Sequence, residues 1–436
     1  MFKRIVLVVL TLIVLAVAGL FALAYRRAIP PVTPPVASAF APDLVARGEI
    51  LAGAGYCATC HTAKGGQPYA GGYAMVTPFG TIYSTNITPD PATGIGNWSE
   101  EAFRRAMHDG VSRDGSHLFP AFPYQHFNQV TDDDIKALYA FFMTRAPVNA
   151  PARQPDIPFP LNLRALQAGW KLLFFRDNAY GPISGKSPEW DRGAYLAEGI
   201  AHCSACHSPR NALGAEDTGS SRYGGAVVDS WYAPPLNASN PAPIAWNVDE
   251  LYSYLHNGGT ALHGVAAGSM SQVIHQGLSK LPDADVHAIA VYMADRMGHG
   301  DQGAAPDAAL AKVMTAATQS SLPQTAPGAA IYAAACASCH YNRGPTPLLV
   351  RPELGLNSAL TGTDPSTLIQ VILHGINADE GLPGLMMPGF AHSFSDAQVA
   401  ELANWLRQNR TDQAPWPDLE KKVAELRKPS PPDTSK

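Results

Sequence analysis

The chain is 436 residues long, and at roughly 100 to 200 residues per domain it allows two to four domains and excludes one small module. Apolar residues make up 46% and charged residues only 15%, below the roughly 25% usual for soluble domains, so several cores can form under a surface poor in ion pairs. A net charge of −5, with no long basic run, excludes a protein that neutralises a phosphate backbone, and no nucleic-acid partner is expected. Gly and Pro, at 38 each, point to short helices joined by long ordered loops.

The first element runs from Ile5 to Tyr25, 21 residues interrupted only by Thr11 and Gly19. As a helix at roughly 1.5 Å per residue it is about 31 Å long, enough to cross a bilayer. Lys3 and Arg4 before it and Arg26 and Arg27 after it tie the positive-inside count, so the flanks do not orient it. The alternative is a secretory leader cleaved after Ala22-Leu23-Ala24, but the apolar run exceeds the roughly 7 to 15 residues of such leaders. Residues 1–27 are therefore read as a transmembrane anchor and residues 28–42 as a Pro-rich extended spacer.

All 6 cysteines then fall in three copies of one pentapeptide: Cys57-Ala-Thr-Cys60-His61, Cys203-Ser-Ala-Cys206-His207 and Cys336-Ala-Ser-Cys339-His340. A four-cysteine zinc site would use two such pairs and strand the third, and nothing in it asks for a His after each. A thioredoxin-like dithiol needs one pair, and a disulfide framework has scattered, unequal spacings. Cys-x-x-Cys-His is instead the attachment signature of c-type haem. Two thiols on one helical turn meet the two vinyl edges of the ring, and the adjacent His reaches the iron as proximal ligand. Three covalently bound haem c groups are expected.

Each pentapeptide has the same surroundings. Gly48, Gly193 and Gly328 each open a short helix before the first Cys, where a glycine costs helix stability and so marks close backbone contact. Each module closes with an amphipathic helix, starting near Thr131, Pro282 and Ser395. Thr131 and Ser395 suit an N-cap, and Pro282 is tolerated in a first turn. Ten residues beyond these starts lie Phe141, Tyr292 and Trp405, expected to pack on the glycine-marked helix of their own module.

The three modules resemble class I cytochrome c domains over residues 43 to about 411. The fold expected is mainly α, three tandem class I cytochrome c domains behind one N-terminal transmembrane helix. The boundaries are 43–147, 186–300 and 326–411, with linkers at 148–185 and 301–325 and a tail at 412–436. In the tail, Trp416, Leu419, Val423 and Leu426 at near-helical spacing suit either a membrane or partner surface or a solvated terminal helix. Trp170 to Phe175 suits lipid, quinone or a partner, or a linker buried between modules.

The resemblance implies a distal Met on the loop before the last helix, because a neutral thioether favours ferrous iron. Met387, in Met387-Pro388-Gly389-Phe390, fits the third module, with Met386 as the fallback, and Met270 fits the second. The first module carries Phe122 where related cytochromes have the Met. Its candidates are His126, then His117, then Met107 or Met75, or an open position.

The whole chain resembles the triheme cytochrome c subunit of bacterial membrane-bound dehydrogenases. The likeness rests on the three pentapeptides, the segment Thr77 to Asp90 with Gly94-Ile95-Gly96, and the stretch Ala168 to Phe175. It implies electron relay from a catalytic subunit to ubiquinone, no catalytic residue on this chain, and haem domains on the periplasmic face of the inner membrane. The Phe122 variant and the N-terminal anchor resemble most the cytochrome of molybdopterin and iron–sulfur aldehyde dehydrogenases, a resemblance that adds a small iron–sulfur subunit to the expected partners. Cytochromes of quinoprotein alcohol dehydrogenases or flavin sugar and gluconate dehydrogenases are the alternative. A multihaem peroxidase and a free-standing electron carrier are rival classes.

Overall fold

A computed structural model describes residues 2–177, 179–298, 307–320, 325–342, 344–378 and 380–428. The regular structure among the described residues is helical apart from short antiparallel hairpins, in keeping with a mainly α chain, and long loops join the elements. They group into two compact units, residues 1–182 with 198–202, and residues 183–197 with 203–436. The first pentapeptide lies in the first unit, and the other two lie in the second.

In the first unit, helix α1 (Phe2–Ala24) is the apolar run, and Phe2, Leu7 and Leu15 on it are 79%, 66% and 62% exposed. Among the described residues no helix is long and apolar enough to cross a membrane. The side chains of α1 at positions 9, 13, 16, 17, 20 and 21 lie outside that description, so the anchor expectation rests on the sequence of this segment. Helix α2 (Pro42–Ala54) leads to the attachment turn α3 (Cys57–Cys60), the hairpin β1 (Ala74–Thr77) and β2 (Gly80–Tyr83), and α4 (Glu100–Asp109). Then follow α5 (Tyr124–Phe127), α6 (Asp132–Met143) and α7 (Leu166–Phe174). Thr131 caps α6 by accepting from the Asp134 amide, and three aspartates fill its first turn, as its sequence requires. Helix α7 packs against α1. Lys171 ties α7 to the end of α4 by donating to the Asp109 and Gly110 carbonyls at 2.5 and 2.8 Å.

The second unit runs through α8 (Pro188–Tyr195), the attachment turn α9 (Ser204–His207), and the hairpin β3 (Ala226–Val228) and β4 (Trp231–Ala233). It continues with α10 (Val248–Asn257), the short pair β5 (Gly259–Thr260) and β6 (Gly264–Val265), α11 (Gly268–Gln276) and α12 (Asp283–Arg296). Beyond these come α13 (Asp307–Ser320), α14 (Pro327–Ala335), the attachment turn α15 (Ala337–His340), α16 (Ser358–Thr361), α17 (Ser366–His374), α18 (Asp396–Arg410) and α19 (Leu419–Leu426).

The expected first-to-last helix crossing is present in each module, as α2 on α6, α8 on α12 and α14 on α18. The glycines are its contact points. A Cβ on Gly48 would lie 2.0 Å from the Ala137 oxygen and 2.7 Å from Phe141 Cβ. On Gly193 it would meet the Ala288 oxygen at 1.9 Å and Tyr292 Cβ at 3.0 Å, and on Gly328 Trp405 Cβ at 2.4 Å. Phe141, Tyr292 and Trp405 therefore pack where their spacing places them. An ion pair repeats at two crossings, Arg47 to Asp134 at 2.7 Å and Arg192 to Asp285 at 2.7 and 2.8 Å. Because these contacts are backbone or Cβ atoms that cannot rotate away, Gly193→Val is expected to separate α8 from α12. A cost above about 3 kcal/mol would lower the thermal midpoint of that module by more than about 10 °C, read by calorimetry.

Two expectations are corrected here. The stretch 301–325 is more than a linker: it contains α13, whose Val313 joins Ile244 and Leu356 in a small apolar cluster, while residues 301–306 and 321–324 lie outside the described residues. The tail places Trp416, Leu419 and Val423 in the core of the third module, 6%, 4% and 0% exposed. Its apolar face therefore has an internal partner and is neither solvated nor turned to a membrane; residues 429–436 lie outside the described residues.

Candidate haem-attachment sites

Each pentapeptide is one turn of helix closed by the same backbone bond. The amides of His61, His207 and His340 donate to the carbonyls of Cys57, Cys203 and Cys336 at 2.9, 3.1 and 2.9 Å. That turn sets the two thiols three residues apart, on one face. No disulfide joins any two of the six cysteines. In the first two modules the chain enters the turn through a left-handed residue with a full side chain, Tyr56 at φ 36° and His202 at φ 34°. Such strain persists where the surrounding structure imposes it, often beside a functional group.

The histidines share a second device. The Nδ1–H of His61 donates to the Thr85 carbonyl at 2.7 Å, that of His207 to Pro234 at 2.7 Å, and that of His340 to Pro352 at 3.2 Å. In the first two modules the hairpin delivers that carbonyl, because β2 ends at Tyr83 and β4 at Ala233. The bond fixes the tautomer and leaves the lone pair on Nε2, the arrangement of a metal-ligating imidazole. Burial holds all three rings below the ordinary histidine range, against the backbone bond that pulls the other way, and so keeps them neutral.

Burial, reinforced by the neighbouring Cys60, pushes the Cys57 thiol up to about 12, and Cys336 is raised to about 11 by burial and Cys339. Cys206 is raised as well, chiefly by burial. Raised thiols do not suit a low-pKa redox dithiol. Among the described residues no three His, Cys, Asp or Glu side chains gather around a metal position. A pair of cysteines three residues apart, a tautomer-locked His and a closed turn together fit a covalently attached haem at each pentapeptide.

The distal candidates divide by their surroundings. Met387 is half-buried and paired to Ile376 by two backbone bonds, whereas Met386 beside it is 70% exposed. Met270 is half-buried on the first turn of α11. In the first module Phe122 packs on Phe127 with ring centroids 5.3 Å apart. His117 has both ring nitrogens engaged: Nε2–H donates to the Ala24 carbonyl at 3.0 Å and Nδ1 accepts from Lys171 at 3.1 Å, so no nitrogen remains for iron. His126, on α5, is 3% exposed rather than solvated. Its Nδ1–H donates to the Glu198 carbonyl at 3.1 Å, the same tautomer as the three proximal rings. Met107 is buried on α4 and Met75 is half-buried on β1.

Sequence reasoning missed His263, seven residues before Met270 and stacked on Trp246 at 3.5 Å between centroids. Neither of its ring nitrogens has a hydrogen-bond partner among the described residues, and burial pushes it down to about 3. Between the unfolded value of about 6.5 and the folded one of about 3, the unfolded chain binds a proton that the folded chain does not. Stability should therefore fall with pH across that window, by up to about 1.4 kcal/mol per pH unit. Denaturant melts of wild type and His263→Phe between pH 7 and 4 should show the slope flattened in the variant.

Residues 45–146 match the family described as Cytochrome c, and residues 323–406 match that described as Cytochrome C oxidase, cbb3-type, subunit III. One of the subunits of nicotinate dehydrogenase from Pseudomonas putida is 46% identical over 93% of this chain, which spans 34% of that protein. The gluconate 2-dehydrogenase cytochrome c subunit of Pantoea cypripedii is 39% identical, covering 88% of this chain and 90% of its own length. The fructose dehydrogenase cytochrome subunit of Gluconobacter japonicus is 38% identical, covering 86% of this chain and 81% of its own.

Proposed function

This chain belongs to the cytochrome c subunits of dehydrogenase complexes, and from that premise we propose that it carries three covalent haems and relays electrons from a catalytic subunit to ubiquinone. The observation that carries the reading is the threefold recurrence of one device: a closed Cys-x-x-Cys turn followed by a neutral His with Nδ1 tied to a carbonyl. The bound groups would supply one-electron chemistry at iron. Cys57, Cys60, Cys203, Cys206, Cys336 and Cys339 would form the thioethers, and His61, His207 and His340 would present Nε2 as proximal ligands. Met270 and Met387 would close the second and third sites against substrates. His126 is the proposed sixth ligand of the first, where its Nδ1 bond orients the ring.

The chain is proposed to be held by α1 in the inner membrane with its haem domains in the periplasm. Leu172 and Leu173 on α7, 66% and 57% exposed, support this reading, since they extend the apolar surface of the α1 helix on which α7 packs. The catalytic partner is proposed to be an aldehyde-oxidising molybdopterin and iron–sulfur enzyme with a small iron–sulfur subunit, on the resemblance of the Phe122 module and the anchor. The likeness to a nicotinate dehydrogenase subunit makes nicotinate a second substrate to offer.

Purification of the full chain in mild detergent is expected to yield a larger catalytic subunit and three haem equivalents by pyridine haemochrome. Aldehyde, nicotinate, alcohol, fructose and gluconate, offered in parallel with a short-chain ubiquinone analogue, should identify the substrate. Recovery of this chain alone, or substrate oxidation that leaves its haem spectrum unchanged, would overturn the relay.

A further inference from the structure

Behind the third attachment turn lies a buried ion pair with no counterpart at the corresponding positions of the other two modules. Arg410, the last residue of α18, and Glu353 are both fully buried, with 0% side-chain exposure. Arg410 Nη1 donates to the two carboxylate oxygens of Glu353 at 2.7 and 2.9 Å. The carboxylate also accepts from the Gly355 amide and from Asn342 Nδ2, each at 3.1 Å. Arg410 Nη2 donates to the Tyr332 hydroxyl at 2.7 Å, and that hydroxyl donates to the His340 carbonyl at 2.8 Å. The circuit closes through the backbone, because Glu353 follows Pro352, whose carbonyl accepts from His340 Nδ1. His340 is thus held at its carbonyl by Tyr332 and at its ring by the segment that Glu353 anchors.

The residues that follow the acceptor carbonyl in the other modules are neutral. Asn86 follows Thr85 and ties the loop to the Val148 carbonyl at 2.7 Å, and Pro235 follows Pro234. Neutral groups are therefore enough to hold a proximal loop, and a desolvated Glu–Arg pair is a costly way to do so, often no more stable than apolar residues of the same volume. What the pair adds is two opposed unit charges in a low-dielectric interior, where each acts strongly on any nearby change of charge.

We propose that Tyr332, Glu353 and Arg410 are positioning residues that clamp His340, at its carbonyl and through the segment that holds its ring, and that the balance of the Glu353 and Arg410 charges sets the redox potential of the third haem. The proposal rests on the reading of His340 as a proximal ligand. Ferric haem carries one positive charge more than ferrous haem, so removing either charge of the pair moves the potential in a direction its sign dictates. Glu353→Gln leaves the Arg410 cation unbalanced, favours the ferrous state and raises the potential. Arg410→Met leaves the carboxylate unbalanced and lowers it. Each should change the ferrous-to-ferric ratio of that haem roughly tenfold at a fixed ambient potential. Tyr332→Phe removes no charge; it should leave the potential near the wild-type value and change the low-spin EPR g-anisotropy, which reports ligand orientation.

The experiment is spectroelectrochemical titration and EPR of the full-length holoprotein, with haem counted in every variant. The double variant Glu353→Leu/Arg410→Met guards against misfolding, since it removes both charges without stranding either, and it should return the potential toward wild type. Opposite shifts in the two single variants, with three haems retained, support the clamp. Shifts of the same sign, or none, with three haems retained would overturn it, because a purely structural pair would lower thermal stability in both variants without opposed potentials. A wild-type chain with no haem on the third turn would overturn the haem reading beneath the proposal instead.

Discussion

Cys203→Ala/Cys206→Ala is expected to leave two haem equivalents of three and to unfold the second module, so that limited trypsin digestion cuts within the segment bounded by α8 and α12. A module of this size buries only about 60 to 70% of the surface its unfolded chain exposes, so its stability margin is small. The prosthetic group would sit between the attachment turn and the first turn of α11, which bears Met270, and removing it opens a void of several hundred cubic ångströms. At about 24 cal/mol per Å³ such a void costs on the order of 10 kcal/mol, which equals the whole stability of a typical domain. The α8–α12 crossing at Gly193 cannot compensate, since its contacts already lie at the limit of approach. The same reasoning gives one equivalent lost for Cys57→Ala/Cys60→Ala and for Cys336→Ala/Cys339→Ala. Pyridine haemochrome counts the haems and mass spectrometry of the digest locates the cuts. A double variant that keeps three equivalents, or a second module still protected from trypsin, would contradict the assignment.

What could be read from the sequence depended on whether a function leaves a mark on residue identity. The attachment turns did, because thioether chemistry needs cysteine at fixed spacing. So did the helix crossings, because only glycine lets Gly48 approach the Ala137 carbonyl and Gly328 approach Trp405. The partners of the proximal histidines did not. Thr85, Pro234 and Pro352 contribute a backbone carbonyl that any residue could supply, and they lie 24, 27 and 12 residues from their histidines. The Glu353–Arg410 pair was hidden by a separation of 57 residues, though two charges in a chain only 15% charged were a usable signal. The amphipathic tail was ambiguous for another reason: periodicity reports that Leu419 and Val423 share a face but not what covers it. Here the third module's own core covers it.

Met387→Ala is expected to abolish thioether ligation of the third haem, while Met386→Ala leaves it intact. The two adjacent side chains are told apart by the backbone. The Met387 amide donates to the Ile376 carbonyl at 2.9 Å, and the Ile376 amide donates to the Met387 carbonyl at 3.0 Å, so Met387 is fixed in a paired, extended conformation. Alternation along extended chain then turns consecutive side chains to opposite sides, and Met386 is the one that faces solvent, at 70% exposure. Gly375 locks the register from behind, at φ 76° and with a would-be Cβ 2.2 Å from the Met387 carbonyl, so the loop has no room to slip by one residue. Because the neutral thioether favours ferrous iron, its loss should lower the potential of that haem and remove the near-infrared sulfur-to-iron charge-transfer band. Met387→His should restore a low-spin spectrum at a potential still below wild type. The same substitution at Met270 should act on the second haem alone. Loss of the band in Met386→Ala and its survival in Met387→Ala would mean that the extended pairing with Ile376 does not persist when the haem is bound.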